Sequence, residues 1–244
     1  MSRNEEKIFI LHEAKQELRP GEVLPSEKTL FQAKKIFLFC EGKTEFQYFS
    51  EYKQDLSNSR LEIIPRYPDQ SMKEGPDVEQ LAIQVIGSRK VVQTHHEGMK
   101  RSIEVEDIDD FCILFDYDKN FHMARDGTTK YQKARILTGN TKVEYFLSNY
   151  CFEVWVLCHF KKPDRRMKTR GLEREILKGS GWSKYKKGQK EIYSKIRDRL
   201  PTAKENASKL ITEKKEKKIP YYSDDSNPFT EISMLIEKIE HEAI

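Results

Sequence analysis

The sequence predicts an α/β fold: a mainly parallel sheet flanked by helices, with a basic, mostly helical insertion toward the C-terminal end. Three observations lead there. The runs Lys34–Cys40 (KKIFLFC) and Phe111–Phe115 (FCILF) are apolar almost throughout, as strands covered on both faces must be. Segments of helical period alternate with these runs. Charge is also divided unevenly: residues 161–220 hold 21 Lys/Arg against 8 Asp/Glu, whereas the rest of the chain holds 23 against 32.

The elements follow in order. Residues 1–33 mix charges with Pro20 and Pro25 and read as an N-terminal arm with one short helix. The first strand, Lys34–Cys40, runs into EGKT, a tight loop, and a helix begins near Thr44 as N-cap, with Glu45, Phe46, Tyr48, Phe49 and Tyr52 at helical spacings. Leu61–Tyr67 is a second strand. Pro76, Asp77 and Glu79 open a helix expected to reach Thr94. An acidic loop leads to Phe111–Phe115, which ends in DYD. A helix over Lys130–Leu137, a fourth strand over Lys142–Leu147 and a buried helix over Cys151–Phe160 complete a domain spanning 34–160. The basic segment 161–226 carries helices near Leu172–Lys178 and Lys187–Leu200, and 227–244 forms an amphipathic helix, Thr230–His241, packed on the core.

Composition narrows the class. Hydrophobic residues make up 37% and charged residues 34%, polar for a folded protein, yet 13 Phe, 11 Tyr and 2 Trp supply a core. No apolar run approaches the roughly 20 residues of a membrane span, and the N-terminus lacks the apolar stretch of a signal peptide. Cys40, Cys112, Cys151 and Cys158 form no CxxC pair and read as reduced, buried thiols of a cytoplasmic protein. A basic segment joined to an acidic body suggests a polyanionic partner.

The chemistry gathers where strands end. In a parallel α/β sheet, ligands bind at the carboxyl ends of the strands. Glu41 follows the first strand, Asp116 ends another, and Asp118 lies two residues on, on the same side as Asp116 if the chain stays extended. Such an oxygen-rich set suits a hard cation, Mg²⁺ or Mn²⁺. Gly42 fits a sharp turn, Lys43 is placed to meet a phosphate, and the following helix offers its amides to an anion. Glu45, one turn after Glu41, is either a further metal ligand or support to one, or an acid favoured by the helix dipole. An ordinary strand-to-helix turn and an ordinary acidic loop are the bland alternatives.

FLFCEGKTEFQYF resembles the first motif of TOPRIM domains, and FCILFDYD resembles their DxD motif. More narrowly, CEGKTEFQYF, FDYD, SNYCFEVWVLCHF and NPFT, in that order, resemble the RloB-like family of bacterial anti-phage defence proteins. The resemblance covers roughly Lys34 to Ile239; the family's motif usually reads SNP where this chain has Tyr150, a departure that bears on the local turn. It implies a TOPRIM-like Rossmannoid domain with Glu41, Asp116 and Asp118 as catalytic and metal-holding residues, to which Lys43, by its place in the turn, adds phosphate stabilisation. It further implies a relative of the TOPRIM subunit of the PARIS system, which cleaves tRNA, and an SMC-like ATPase partner.

Glu153 and His159, inside an apolar stretch, are auxiliary site candidates or structural residues. His95 and His96 read as loop or helix-cap residues. Lys184, Tyr185, Lys186 and Lys187 interleave cations with an aromatic, the pattern that tracks phosphates and stacks bases; a solvated turn anchored by its aromatics is the alternative. The expected function is therefore a Mg²⁺- or Mn²⁺-dependent nuclease, with RNA, tRNA included, ahead of DNA. The alternative is a TOPRIM scaffold that works by binding its ATPase, since no GxxxxGK[ST] occurs here. A topoisomerase or primase fits poorly in so short a chain.

Overall fold

The computed structural model describes residues 34–56, 60–65, 75–96, 99–139 and 141–242. The predicted arm over 1–33 and the end of the second predicted strand, Arg66 and Tyr67, lie outside them. A central sheet has the order β2-β1-β5-β6-β7, where β1 is Ile36–Cys40, β2 Leu61–Pro65, β5 Asp110–Asp116, β6 Val143–Asn149 and β7 Phe229–Thr230. The first four are mutually parallel, and β7 joins β6 antiparallel. Helices cover both faces, so the fold is mixed α/β with a mostly parallel sheet.

The period-two alternation of the strands divides the core. Ile36, Leu38, Cys40, Cys112, Leu114 and Phe146 face one layer. Phe37, Phe39, Phe111, Ile113, Phe115 and Leu147 face the other. Both faces are covered, which is why β1 and β5 are buried along their whole length. The first layer holds α1 (Lys43–Asp55), α4 (Glu153–Cys158), α5 (Thr169–Ser180), α6 (Ile192–Ile196), α7 (Leu200–Glu216) and α8 (Ile232–Glu242). The second holds α2 (Val78–Gly87) and α3 (Lys130–Thr138), each started by a complete capping box, Asp77 with Gln80 and Thr129 with Gln132.

The structure departs from the predicted elements in three places. The helix expected to reach Thr94 stops at Gly87, and the chain turns into an antiparallel pair, β3 (Val91–His96) with β4 (Met99–Glu104). His95 and His96 therefore lie in a strand; the β-branched run Val91–Val92 outweighed the helical period. The helix expected over Lys187–Leu200 is instead a short α6, a 3₁₀ turn (Arg197–Arg199) and the longer α7, which carries the Lys-rich stretch. The two-residue β7 was not anticipated.

Residues 161–226 share the main core. Leu172, Ile176, Ile192, Ile196, Ala203 and Leu210 are buried in the layer that contains Trp155 and Tyr48. Many of the basic side chains are matched within or near the segment: Lys161 and Lys178 with Glu175, Lys162 with Glu213, Arg166 with Asp224, Arg197 with Asp55 and Lys204 with Glu240. The segment's excess charge is thus partly spent on holding helices in place. The peptide bonds Asn149–Tyr150 and Asn227–Pro228 are cis.

Glu231 fastens the return of the chain to the sheet. Its buried Oε2 accepts the Leu147 N–H at 2.8 Å and the Tyr222 hydroxyl at 3.2 Å. Burial raises this carboxyl to about 7, against the two hydrogen bonds that lower it. A carboxyl whose folded value exceeds its unfolded one stabilises the fold fully below the unfolded value and loses that contribution as pH rises through about 7. Glu231→Gln keeps an acceptor and removes the titration. At pH 8 it should melt above the wild type by the equivalent of about 2–3 kcal/mol, and the two curves should converge below about pH 4. Calorimetry across that range checks this.

Candidate functional site

The parallel register of β1 and β5 sets the site. Cys40 pairs with Leu114, and Glu41, the next residue, reaches the end of β5. Its Oε2 accepts the Asp116 backbone N–H at 2.9 Å and the Asn120 Nδ2–H at 2.7 Å. Its Oε1 lies 3.1 Å from Lys119 Nζ. Burial pushes the Glu41 carboxyl up; the Lys119 ammonium and the Asp116 N–H pull it down without cancelling that effect. The placement of Glu41 and Asp116 on adjacent strand ends agrees with the sequence expectation.

Asp118 is placed differently. The strand ends at Asp116, and residues 118–120 form a turn in which the Asn120 N–H donates to the Tyr117 carbonyl at 3.2 Å. Period-two alternation needs extended backbone, which ends at Asp116. The Asp118 carboxylate accepts its neighbour's N–H, that of Lys119, and borders a separate cleft, while remaining close enough to Glu41 to raise its carboxyl. Lys119 and Asn120, which the sequence reading passed over, take the inward positions. Asn120 is fully buried, donating to Glu41 and the Asp116 carbonyl and accepting the Val78 N–H that opens α2. An Asn directly after DYDK was the available signal, since Asn favours turns that bond their own backbone.

The other half of the site comes from far along the chain. Asp116 Oδ1 accepts the Phe152 N–H at 2.8 Å, and its Oδ2 lies 3.4 Å from Lys187 Nζ. The same ammonium lies 3.5 Å from Oε2 of Glu153, a fully buried residue. Glu153 Oε1 accepts the Tyr185 hydroxyl at 3.1 Å and the Thr44 hydroxyl at 3.4 Å. Thr44 Oγ1 in turn accepts the Gly188 N–H at 2.9 Å. Gly188 has φ +73, and a Cβ there would meet the Lys43 side chain at 2.8 Å, so only glycine lets the loop close over α1. Burial alone would lower the Lys187 ammonium, but Asp116 and Glu153 override it and hold it well above its ordinary value.

The four residues expected to contact substrate therefore divide. Lys184 and Lys186 are exposed, whereas Tyr185 and Lys187 turn in onto the acids. Thr44 is not the N-cap of α1; Gly42 is, and Thr44 is buried inside the helix, bridging Glu153 and Gly188. Lys43 is exposed at the first turn of α1. His159 belongs to the core. Its Nδ1 donates to the Trp155 carbonyl at 3.1 Å, which leaves Nε2 to accept the Tyr48 hydroxyl at 3.2 Å. Burial lowers it to about 4, and among the described residues it makes no contact with the acids.

Glu45 is fully buried, and neither carboxylate oxygen has a hydrogen-bond partner. It folds back over Gly42, where a Cβ would stand 2.2 Å from Oε2. Burial raises Glu45 to about 7; Lys187 lowers it, and Glu153 and Glu41 raise it further. Burial likewise raises Asp116 well above its usual range, with Lys187 opposing and Glu45 and Glu41 adding. As the side chains stand, no three His, Cys, Asp or Glu among the described residues are gathered closely enough to hold a metal. The donor chemistry nevertheless fits a hard cation: Glu41, Glu45 and Asp116 are oxygen ligands short of positive charge, and the two bare oxygens of Glu45 are what a cation would satisfy.

The family model for RloB-like proteins matches residues 36–239. The chain belongs to the RloB-like family. The match runs from the first residue of β1 to within α8, so the helical segment 161–226 is part of the family's shared body. No curated protein and no solved structure matches the chain. All four cysteines are free and buried, and among the described residues no helix is long and apolar enough to cross a membrane.

Lys187→Met tests the charge balance. It keeps most of the side chain's length and removes the counter-ion of Asp116 and Glu153. The Lys187 side chain is 40% exposed, so solvent screening holds the loss to about 1–2 kcal/mol, below the 3–5 of a fully buried broken pair. Melting at pH 8 in EDTA should fall accordingly, and millimolar MgCl₂ or MnCl₂ should raise it more than in the wild type. Equal metal responses would show that Lys187 does not stand where a cation goes.

Proposed function

We propose that this RloB-like protein is a Mg²⁺- or Mn²⁺-dependent phosphodiester-cleaving enzyme of the TOPRIM type, acting on RNA in cytoplasmic anti-phage defence. The observation that carries this reading is the meeting of Glu41 and Asp116 on adjacent parallel strand ends, beside a Glu45 with two bare, buried oxygens. Glu41, Asp116 and Glu45 would hold the cation. When bound it supplies charge neutralisation and Lewis acidity at the scissile phosphate. Asn120 and the Asp116 N–H fix the Glu41 carboxylate, and the Phe152 N–H fixes that of Asp116. Exposed Lys43, Lys184 and Lys186 are available to phosphates, whereas Lys187 and Tyr185 become available once the 181–190 loop leaves the acids. RNA and tRNA ahead of DNA, and an SMC-like ATPase as partner, rest on analogy within the family.

One observation favours a second reading, a subunit that binds the ATPase without cleaving. Lys119 and Lys187 already occupy positions beside Glu41, Asp116 and Glu153 where a cation would otherwise stand. Labelled total tRNA and plasmid DNA, incubated with Mg²⁺, with Mn²⁺ and with EDTA, separate the two. Under the enzymatic reading, Glu41→Gln and Asp116→Asn each reduce cleavage by at least about 100-fold, equivalent to roughly 3 kcal/mol of transition-state stabilisation, with melting temperature in EDTA level or higher. Full cleavage by either variant removes these acids from the mechanism. A wild type that cuts nothing under any metal yet binds the ATPase establishes the second reading.

A further inference from the structure

Beside the acids lies a cleft of about 540 Å³ that the proposed chemistry leaves unused. Tyr117, Asp118, Tyr150, Arg166 and Lys168 line it. Its size falls within the range of small-ligand sites, roughly 300–1,000 Å³. Asp118 joins it to the acids, because its carboxylate takes the N–H of Lys119, the residue paired with Glu41. Tyr150 joins it from the other side, two residues before Phe152, whose N–H holds Asp116.

Its walls combine aromatic rings with charges of both signs, Arg166 and Lys168 against Asp118 and Asp224. Tyr117 ends a row of stacked rings: Tyr117 on Phe121 at 4.4 Å and 7°, Phe121 on Tyr131 at 5.1 Å, and Tyr131 on Tyr222 at 4.9 Å. Phe121 is its only ring partner among the described residues, and it is half-buried at the cleft. The other rings hold it rigidly, so a further planar ring could stack on it without the cost of ordering a free side chain. Neither the Tyr117 nor the Tyr150 hydroxyl has a hydrogen-bond partner among the described residues. Lys168 is exposed and makes no ion pair there, unlike Arg166, which is tied to Asp224 and Asp225. Burial raises both tyrosines, and the carboxylates of Asp224 and Asp225 near Tyr117, and of Asp118 near Tyr150, raise them further, so both hydroxyls stay protonated as donors.

We infer that this cleft binds one nucleotide of a single-stranded nucleic acid, its base stacked on Tyr117 and its phosphate met by Lys168, next to the phosphodiester presented to Glu41 and Asp116. A planar ring platform, two free hydroxyls and one free cation, joined to the acid site through Asp118 and Lys119, match a nucleobase with its phosphate better than an isolated anion or an apolar ligand. The inference rests on the proposed phosphodiester chemistry for its orientation, but binding can be measured without cleavage.

The test uses the full chain in EDTA and a short single-stranded RNA with a central 2-aminopurine, read by anisotropy for affinity and by fluorescence quenching for stacking; a DNA counterpart runs alongside. Wild type should bind and quench. Tyr117→Leu should lose the quenching and about tenfold in affinity, and Tyr117→Phe should keep both. Lys168→Glu, a surface change that leaves the fold intact, should weaken binding about tenfold and lower the salt slope by about 0.7. Binding of both strands assigns recognition to base and phosphate, and binding of RNA alone adds the ribose. Absence of quenching by wild type, or undiminished affinity in both Tyr117→Leu and Lys168→Glu, overturns the cleft assignment. Glu41→Gln should bind and quench in EDTA as the wild type does and, in a parallel assay with Mg²⁺ or Mn²⁺, fail to cleave. If it cleaves normally, the acid mechanism falls and the cleft stands or falls on its own binding data.

Discussion

Four buried carboxylates, Glu41, Glu45, Asp116 and Glu153, are held at one end of a parallel sheet, and much of the architecture answers the cost of keeping them there. Burial raises the first three, and each raises its neighbours, so the protein supplies N–H donors and ammonium groups from several directions. The Asp116 and Phe152 amides and the Asn120 side chain cost no charge. Lys119 comes from the turn after β5, while Lys187 comes from a loop beyond α5. Glu45 alone has no hydrogen-bond partner for either oxygen among these four. Its two oxygens, with Oε2 of Glu153, are the acid oxygens of the cluster left without a hydrogen bond.

The same constraint explains why the basic segment is not an appendage. Its helices share a core with α1 and α4, and its 181–190 loop is fixed through Tyr185, Lys187 and Gly188 to Glu153, Asp116 and Thr44. Opening that loop costs four hydrogen-bonded or ionic contacts at once and leaves Asp116 and Glu153 without their ammonium. Loop position and the charge state of the acids are therefore linked, and a ligand that brings its own positive charge competes directly with Lys187.

The sheet and the two strand-end acids were legible because buried parallel strands are continuous apolar runs, and Glu41 and Asp116 follow them directly. Asp118 does not continue the alternation of Asp116, because two-residue alternation holds only while backbone stays extended and the strand ends at Asp116. The β3–β4 pair was hidden by a helical period that continued past Gly87. Thr44 looked like a cap because Thr commonly is one; its tertiary partners, Glu153 and Gly188, lie 109 and 144 residues away. Lys187 as a counter-ion was equally illegible, since a Lys in a basic run carries no mark of the acid it will meet.

The late strand β7 bears on how the protein is made. Ser148 of β6 bonds Thr230 of β7 across a separation of 82 residues. At typical synthesis rates that interval lasts about 4–16 s, during which β6 has left the ribosome with one edge unpaired. Lys187 emerges within the same interval, after Glu41 and Asp116. The nascent chain thus passes through a stage with an open strand edge and with Asp116 and Glu153 lacking the Lys187 ammonium. Translation speed between residues 150 and 230 therefore sets how long that edge stays open.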